Sequence, residues 1–293
     1  MNKLSFDDRA KVVRALVEGS SLRSTSRMTG IAYNTVLKLL VDVGKACIKF
    51  HNENVVNVHA KRVQCDEIWS FVMCKDKNVD YCTKQHEQHV GDAWTWVGID
   101  ADSKLVISWL VGQRDATCAN EFMCDVASRL TNRVQLTTDG FKPYLRAVEN
   151  AFDDEIDFAQ LIKIYGAAEG TGNDRKYSAP QCIGIEKRII TGRPNEADIS
   201  TSYIERQNLT MRMQMRRFTR LTNAFSKKIE NHNYAIAINY AYYNWVRIHK
   251  TLRVTPAMEA GLITRPMTID EIVRYAYADE IEAEKKRLAR RYR

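Results

Sequence analysis

The chain has 293 residues, a formal net charge of +8 and a sequence pI near 9.1. This length is sufficient for about two domains, and the basic charge favours a nucleic acid partner. No stretch approaches the roughly 20 apolar residues of a membrane span, and the charged N-terminus lacks the apolar segment of a secretory signal. The seven cysteines are odd in number and form no CxxC pair, which predicts mostly buried thiols in a reducing cytoplasm.

Three helices are predicted before residue 52. The first runs from Phe6 to Glu18, with Ser5 as its N-cap and Gly19 after its end. A short second helix ends at Gly30, and a third runs from Ala32 to Phe50. A helix-turn-helix has this arrangement, although any small three-helix bundle has it as well. The residues that the third helix would present to the major groove of DNA are Tyr33, Asn34, Thr35 and Lys38.

After a polar linker over residues 52–62, the pattern changes to that of strands. The segment RVQCDEIWSFV alternates around apolar residues, with Asp66 in its middle. A carboxylate inside a buried strand is unfavourable unless it has a partner such as a metal ion. Because successive strand side chains face opposite ways, only one of Asp66 and Glu67 is expected to enter a site. Asp66 is the first candidate and Glu67 is the alternative.

A second candidate carboxylate follows a predicted crossover helix. Two hairpin strands, AWTWVGID and KLVISWLVG, precede this helix, which runs from Thr117 to Leu130. The next strand, VQLTTDG, ends with Asp139 and should lie parallel to the first strand and beside it. Asp66 and Asp139 would then repel each other unless a divalent cation such as Mg²⁺ lay between them. Alternatively, Asp139 and Gly140 form a simple turn at the end of a strand.

The segment from Thr201 to Lys228 is predicted to be a helix and carries a single acid, Glu205. Its Lys and Arg residues suit a polyanion, and they are Arg206, Arg212, Arg216, Arg217, Arg220, Lys227 and Lys228. On such a helix Glu205, Asn208, Leu209 and Arg212 are expected to share one face. A carboxylate among cations is well explained as a ligand for a metal that also touches phosphate. The alternative is an acid in a first helical turn, favoured by the helix dipole.

The remaining segments complete the predicted domain. A helix over Pro143 to Phe152 and strands over Phe158 to Tyr165 and IGIEKRIITG precede the Glu205 segment, with a loop over Gly166 to Pro180. A long aromatic helix from Phe225 to Arg247 follows it, and a basic helix over Thr268 to Arg293 ends the chain. Cys74, Cys82, His86 and His89 could be drawn as a zinc site, but their spacing fits no common pattern.

At DEIWSFV, TTDGFKPY and TSYIERQNLTMRM the sequence resembles the transposases of bacterial insertion sequences, specifically those grouped with insertion sequence one. The resemblance spans nearly the whole chain and is strongest around Glu205. It implies an α/β fold in which a ribonuclease H-like mixed sheet is flanked by helices, with Asp66, Asp139 and Glu205 as a DDE metal-binding triad. By this likeness residues 1–51 form an all-α helix-turn-helix domain, residues 63–265 form the catalytic domain and residues 266–293 form a basic C-terminal helix.

The function that the resemblance implies is transposition. The protein would bind insertion-sequence ends and catalyse DNA cleavage and strand transfer with Mg²⁺, for which Mn²⁺ could substitute. At least a dimer is expected, because two ends must be joined, and it would act in the bacterial cytoplasm on the nucleoid. Expected contacts with transposon-end or target DNA, besides the helix-turn-helix residues, are Lys187, Arg188, Arg206, Asn208, Arg212, Arg216 and Lys250. The alternatives are a helix-turn-helix transcriptional regulator without catalysis and a ribonuclease H-like structure-selective nuclease.

One position departs from the family pattern. Some members are said to carry a fourth acid in a context like E-x-H-D, whereas this chain reads Glu230, Asn231, His232, Asn233. Asn233 therefore stands where that acid is expected, and the resemblance assigns three carboxylates only.

Overall fold

The structure is a computed structural model that describes residues 3–80, 90–166, 181–219 and 224–291. Within these residues the chain is a mixed α/β fold built on one six-stranded sheet. The strands are β1 (Arg62–Val72), β2 (Gly91–Asp100), β3 (Val106–Gly112), β4 (Gln135–Thr138), β5 (Asp157–Tyr165) and β6 (Cys182–Thr191). The helices are α1 (Phe6–Val17), α2 (Leu22–Thr29), α3 (Tyr33–Asn54), α4 (Ala116–Arg129), α5 (Pro143–Phe152), α6 (Ser202–Gln214), α7 (Ile229–Ala241), α8 (Pro256–Glu259), α9 (Ile269–Ala276) and α10 (Ala278–Arg291).

The sheet has the strand order β3-β2-β1-β4-β5-β6. β1 pairs in parallel with β4, and the last pair in their register joins Cys65 to Thr138. β4 is parallel to β5, and β5 is antiparallel to β6. The prediction that the first and fourth strands are parallel neighbours is therefore confirmed. This pairing stops one residue before Asp66 in β1 and one residue before Asp139, which follows β4. The carboxyl end of β4 therefore lies beside the middle of β1.

The chain divides into two compact units. Unit 1 consists of Met1–Val56, Trp69–Trp94 and Asn208–Arg293, and unit 2 consists of Asn57–Ile68 and Thr95–Gln207. β1, β2 and α6 contribute residues to both. This division differs from the boundaries predicted at residues 51, 62 and 265, which remain a prediction about functional domains. A helix-turn-helix role for α1 to α3 also remains a prediction. α1 and α2 lie where the sequence places them, whereas α3 continues to Asn54, into the predicted linker.

Unit 1 contains α1 to α3 packed with α7 and α9. The Ser5 side chain accepts a hydrogen bond from the Asp8 backbone N–H and caps α1. Edge-to-face contacts of the Phe50 ring with Trp245 and Tyr275 extend the same packing. At the contact between α3 and α7, Gly44 leaves room for Tyr234, since a Cβ on residue 44 would overlap the Tyr234 Cβ.

We expect Gly44→Ala to lower the free energy of unfolding by about 2 kcal/mol, because the added methyl overlaps Tyr234 and forces the two helices apart. Chemical denaturation of the purified protein measures this change. Lys49→Ala, an exposed position on the same helix, is the matched control and should change stability by less than about 0.5 kcal/mol. If Gly44→Ala were as stable as Lys49→Ala, α3 and α7 would be able to move apart without a loss of folding free energy.

Unit 2 has an aromatic core around Trp96 of β2. The Trp96 ring, fully buried, contacts the rings of Phe122, Phe141 and Tyr144 at centroid distances of 6.0, 5.9 and 5.6 Å. α4 packs against β3 and α5. The core therefore holds α4, α5 and the loop after β4 in fixed positions relative to the end of β4.

Several predicted helices have different bounds in the structure. The helix predicted to end at Lys228 ends at Gln214 and is followed by a 3₁₀ turn at Arg216–Phe218. The Met215 backbone is extended, and this allows Phe218 to be buried. The long aromatic helix begins at Ile229, and its last turn, Tyr242–Val246, is π-helical. The predicted terminal helix is two helices, α9 and α10, and Tyr277 between them packs against Phe6.

Three further predictions concern the drawn zinc site, the burial of the cysteines and membrane-spanning segments. Cys82, His86 and His89 of the drawn zinc site lie outside the described residues, as does most of the loop from Gly166 to Pro180. Of the cysteines in the described ranges, only Cys47 and Cys65 are buried, so the prediction of mostly buried thiols is wrong. No helix among the described residues has the length and apolarity needed to cross a bilayer.

Candidate metal centre

Three carboxylates of unit 2 converge at the end of β4. Asp66 and Glu67 belong to β1, Asp139 follows β4, and one carboxylate oxygen from each lies within 4.8 Å of the others. The prediction that Asp66 and Asp139 are neighbours is confirmed. The prediction that only one of Asp66 and Glu67 enters the site is wrong. Because the pairing of β1 with β4 ends at Cys65 and Thr138, β4 does not continue beside residues 66 and 67, and both side chains can turn toward Asp139.

Local hydrogen bonds hold Asp139 in place. Its Oδ1 accepts a hydrogen bond from the Phe141 backbone N–H at 2.9 Å, a short-range turn that Asp favours. Its backbone carbonyl accepts a hydrogen bond from the buried Gln160 side chain on β5, also at 2.9 Å. Gly140 allows this close approach, because a Cβ there would lie 2.9 Å from the Ile162 side chain. The DG pair therefore positions the carboxylate and also forms the turn that the sequence offered as an alternative.

Arg114, just after β3, bridges two of the three acids. Its Nε donates to Glu67 Oε2 at 2.9 Å, and its Nη2 donates to Asp139 Oδ2 at 3.3 Å. The guanidinium carbon also lies 3.9 Å from the centre of the Phe141 ring. A planar cation is thus held by two carboxylates and by an aromatic face.

Glu67 is the most deeply buried acid of the cluster. Its side chain is 1% exposed, and its Oε1 has no hydrogen-bond partner within the described residues. The Tyr144 hydroxyl lies near this carboxylate without reaching hydrogen-bond geometry. Burial raises the pKa of Glu67, and the charge of Asp139 raises it further. A buried carboxylate oxygen without a donor is costly, so this atom is a natural ligand for a cation.

Asp66 is half-buried at the centre of the cluster. Burial raises its pKa to about 7, and the charges of Glu67, Asp139 and Glu205 add to this effect. Sites that bind cations or transfer protons often contain several neighbouring carboxylates, in which ionisation of one group makes ionisation of the others less favourable.

Glu205 lies outside the cluster of three, in the first turn of α6. Its Oε1 accepts a hydrogen bond from the Thr201 hydroxyl, and its Oε2 pairs with Lys163 Nζ at 2.5 Å. Although burial lowers the pKa of Lys163, its hydrogen bond and charge interaction with Glu205 outweigh burial and raise it. Glu205 is near enough to raise the pKa of Asp66. The charge of Glu205 therefore acts on Asp66, while Lys163 forms a salt bridge with Glu205.

Gln64 explains why α6 begins beside Asp66. The Gln64 Oε1 accepts hydrogen bonds from the backbone N–H groups of Tyr203 and Ile204 at 2.9 and 3.1 Å. These donors belong to the first turn of α6 and have no partner within the helix. Since strand residues two apart share a face, Gln64 and Asp66 lie on the same face of β1. The buried amide therefore places the first turn of α6, and with it Glu205, on the Asp66 face.

The donor set fits a divalent cation that prefers oxygen. Asp66, Glu67 and Asp139 supply only carboxylate oxygens, and the Glu67 Oε1 has no donor in the described residues. Mg²⁺ and Mn²⁺ take such ligands and leave other positions to water and phosphate.

The predicted DNA contacts are distributed over both units, and most of them are exposed. Exposed positions in unit 1 are Tyr33, Asn34, Lys38, Arg212, Arg216 and Lys250. Thr35 is half-buried, and Lys38 forms an ion pair with Asp42. In unit 2, Arg206 is exposed, Arg188 pairs with Glu186, and Lys187 donates to the Glu196 carbonyl.

Asn208 is the exception among these positions. It is only 5% exposed, on the same helix face as the buried residues Ile204 and Met211. The helix turns 100° per residue, which brings residues 204, 208 and 211 onto one side and leaves residues 205, 209 and 212 on another. The expected shared face of Glu205 and Asn208 is therefore wrong, and Asn208 offers no surface to DNA in this conformation.

His232, next to Asn233, is a buried structural residue of unit 1. Its Nε2 and Nδ1 hydrogen-bond the hydroxyls of Ser70 and Ser226 at 3.1 and 3.0 Å. Burial lowers the pKa of His232 to about 3, and the charge of Arg217 contributes, so the imidazole is neutral near pH 7.

Three residues of the site had no signal in the sequence. Arg114, Lys163 and Gln64 stand in segments interpreted only as strands or strand ends, and polar residues at strand ends are usually solvated. Their roles depend on what lies across the sheet from them, which no local pattern reports.

No family model matches the sequence, and no curated protein matches it. Among solved structures, the chain is similar to the Mos1 transposase in a paired-end complex with the left transposon end, with 14% identity over 54% of this chain and 60% of that chain and a TM-score of 0.24. It is also similar to the piggyBac transposase in a synaptic complex with hairpin DNA, with 9% identity over 93% of this chain and 69% of that chain and a TM-score of 0.39. These structural neighbours are transposases, and both likenesses are distant.

Proposed function

We propose that the chain is a DDE-type transposase of the kind found in bacterial insertion sequences. The observation that carries this proposal is the convergence of Asp66 and Asp139 from two parallel strands, with the first turn of α6, which bears Glu205, docked on the same face of β1. The resemblance at these three positions and the mixed sheet with adjacent first and fourth strands support the same interpretation, a ribonuclease H-like catalytic domain.

In this proposal Asp66, Asp139 and Glu205 hold divalent metal, and Glu67 adds an oxygen from the opposite face of β1. Mg²⁺ or Mn²⁺, when bound, lowers the pKa of an attacking hydroxyl and neutralises charge on the phosphate. The protein's part is to hold its carboxylates at the end of β4 and to keep the aromatic side of the site dry. Lys163, now paired with Glu205, becomes a cation near the phosphate once that acid takes a metal.

DNA is the proposed substrate, and a second protomer is the proposed partner because two ends are joined. The exposed cations of α6 support this, since Arg206 and Arg212 lie on the helix that carries Glu205. Such side chains bind phosphates and fix register, whereas base reading is assigned to the exposed start of α3.

The deciding experiment incubates the protein with a duplex made from the DNA flanking its coding region, with Mg²⁺ and without it. Joined strands are expected for a transposase. Nicks without joining would favour a structure-selective nuclease, and binding without any product would favour a transcriptional regulator. A product that forms equally in EDTA would contradict the metal-dependent proposal.

We expect Arg212→Ala to weaken binding to unrelated duplexes as much as to the flanking DNA, because an exposed guanidinium neutralises a phosphate and reads no base. Fluorescence anisotropy at several salt concentrations should show a slope of log K against log salt smaller by about one. Arg265→Ala is the matched control, since Glu271 already neutralises this exposed arginine. An unchanged slope at residue 212 would remove Arg212 from the DNA surface.

A further inference from the structure

Arg114 binds two of the carboxylates that would hold a cation. Its two hydrogen bonds end on Glu67 and Asp139, two of the three acids whose oxygens lie within 4.8 Å of one another. A guanidinium and a dication bound to the same two carboxylates compete, because the two positive charges repel each other at close range.

The cluster needs a positive charge when no metal is bound. Glu67 is almost completely buried, and an ionised carboxylate in such a place is unfavourable without a paired cation. Asp66 and Asp139 add negative charge at close range. In the described residues Arg114 is the cation that forms salt bridges with this cluster, through Glu67 and Asp139.

Arg114 can release the acids without losing its place. Its side chain is 33% exposed, so the guanidinium can turn toward water. Its contact with the face of Phe141, at 3.9 Å, involves no carboxylate and can persist after both hydrogen bonds break. The Arg114 side chain therefore makes two kinds of contact, hydrogen bonds to Glu67 and Asp139 and a cation–π contact with Phe141.

We propose that Arg114 is an internal counter-ion that occupies the cation position of the metal-free site and withdraws from Glu67 and Asp139 when a divalent ion binds. This role rests on the proposed metal centre. Arg114 is then a positioning residue that holds Glu67 and Asp139 together before metal binds. Its presence lowers the affinity for metal, since binding must first break its two hydrogen bonds.

The test is Mn²⁺ binding by the full-length protein, stripped of metal and free of DNA, measured by isothermal titration calorimetry. Arg114→Gln removes the charge and keeps an amide, and it should lower the Kd for Mn²⁺ about tenfold, because no charged hydrogen bonds have to be broken. Arg133→Gln is the matched control, as Arg133 pairs with Asp157 and with backbone carbonyls away from the cluster, and it should leave the Kd unchanged. An unchanged or higher Kd in Arg114→Gln overturns the proposal.

Thermal unfolding gives a second readout that a merely structural arginine would not produce. Arg114→Gln should melt below the wild type in EDTA and approach it in saturating Mn²⁺, because the wild type no longer uses the salt bridges once metal is bound. A gap that stays equal in both conditions overturns the proposal. If Arg114→Gln does not fold, Arg114→Lys replaces it, and a Kd about threefold lower is expected because lysine cannot reproduce the bidentate geometry. A Kd equal to that of the wild type would then overturn it.

Asp139→Asn separates the counter-ion role from the metal centre on which it rests. Suppose that the wild type binds Mn²⁺, that Asp139→Asn does not, and that Arg114→Gln binds it with wild-type affinity. These results would contradict the counter-ion role and still support the metal centre. No Mn²⁺ binding by the wild type, or equal binding by Asp139→Asn, removes both.

Discussion

Asp139→Asn should lose DNA cleavage and strand transfer by about 10³-fold or more, because a metal ligand supplies several kcal/mol of transition-state stabilisation. The substitution is nearly isosteric, and the amide oxygen can still accept the hydrogen bond from the Phe141 backbone N–H. Binding of the flanking duplex should therefore stay within about twofold of the wild type. Gel analysis of products with Mg²⁺, and anisotropy with the same duplex, provide the two measurements.

Asp154→Asn is the control for this variant. Asp154 is an exposed acid of the same unit, between α5 and β5, and its loss should change neither cleavage nor binding. Loss of DNA binding in Asp139→Asn would indicate a folding role for the carboxylate. Cleavage at the wild-type rate would show that Asp139 does not take part in the reaction.

Asp66→Asn should make the metal-free protein more stable at pH 8 while it abolishes metal binding. The pKa of Asp66 is raised from 3.8 to about 7 in the folded protein by burial and neighbouring acids. Folding therefore favours the protonated form, and ionisation above the unfolded value destabilises the fold progressively until about pH 7. A shift of this size corresponds to at most about 4 kcal/mol, and solvent screening at a half-buried group reduces the expected gain to about 2 kcal/mol.

Urea denaturation in EDTA at several pH values measures this gain. The stability difference between Asp66→Asn and the wild type should be small near pH 4, grow as the pH rises to about 7, and level off above it. Asp154→Asn, at an exposed acid of the same unit, is the control for this measurement as well. A difference that is independent of pH would mean that repulsion at residue 66 is not its source.

The sequence led to the Asp66 and Asp139 pair because two regular patterns agreed. The alternation of apolar residues predicts that β1 has a buried face. The crossover helix requires that the strand after it, β4, run parallel to β1. The prediction that only one of Asp66 and Glu67 enters the site is wrong because strict alternation describes the interior of a paired strand. At residue 67 the neighbouring strand has already ended, and the length of β4 is set by the DG turn and its packing on β5.

The surroundings of Glu205 were beyond the reach of sequence patterns for a different reason. Helical spacing correctly put Ile204 and Met211 on a buried face, but it could not show that a lysine of β5 would neutralise the acid. It also could not show that the buried Gln64 amide fixes the start of α6. Both contacts join residues that are distant along the chain, and each depends on the register between a strand and a helix.

Composition, periodicity and turn residues therefore determined by themselves that this chain forms a mixed sheet in which Asp66, inside the first strand, lies beside Asp139 at the end of the fourth, because these properties depend on neighbours along the chain. The tertiary structure alone decided that Glu67 joins those acids, that Arg114 bridges them and that Glu205 stands apart with Lys163. The physical reason is that charges taken from water must find a partner, and only the assembled fold determines which groups lie within a few ångströms of each one.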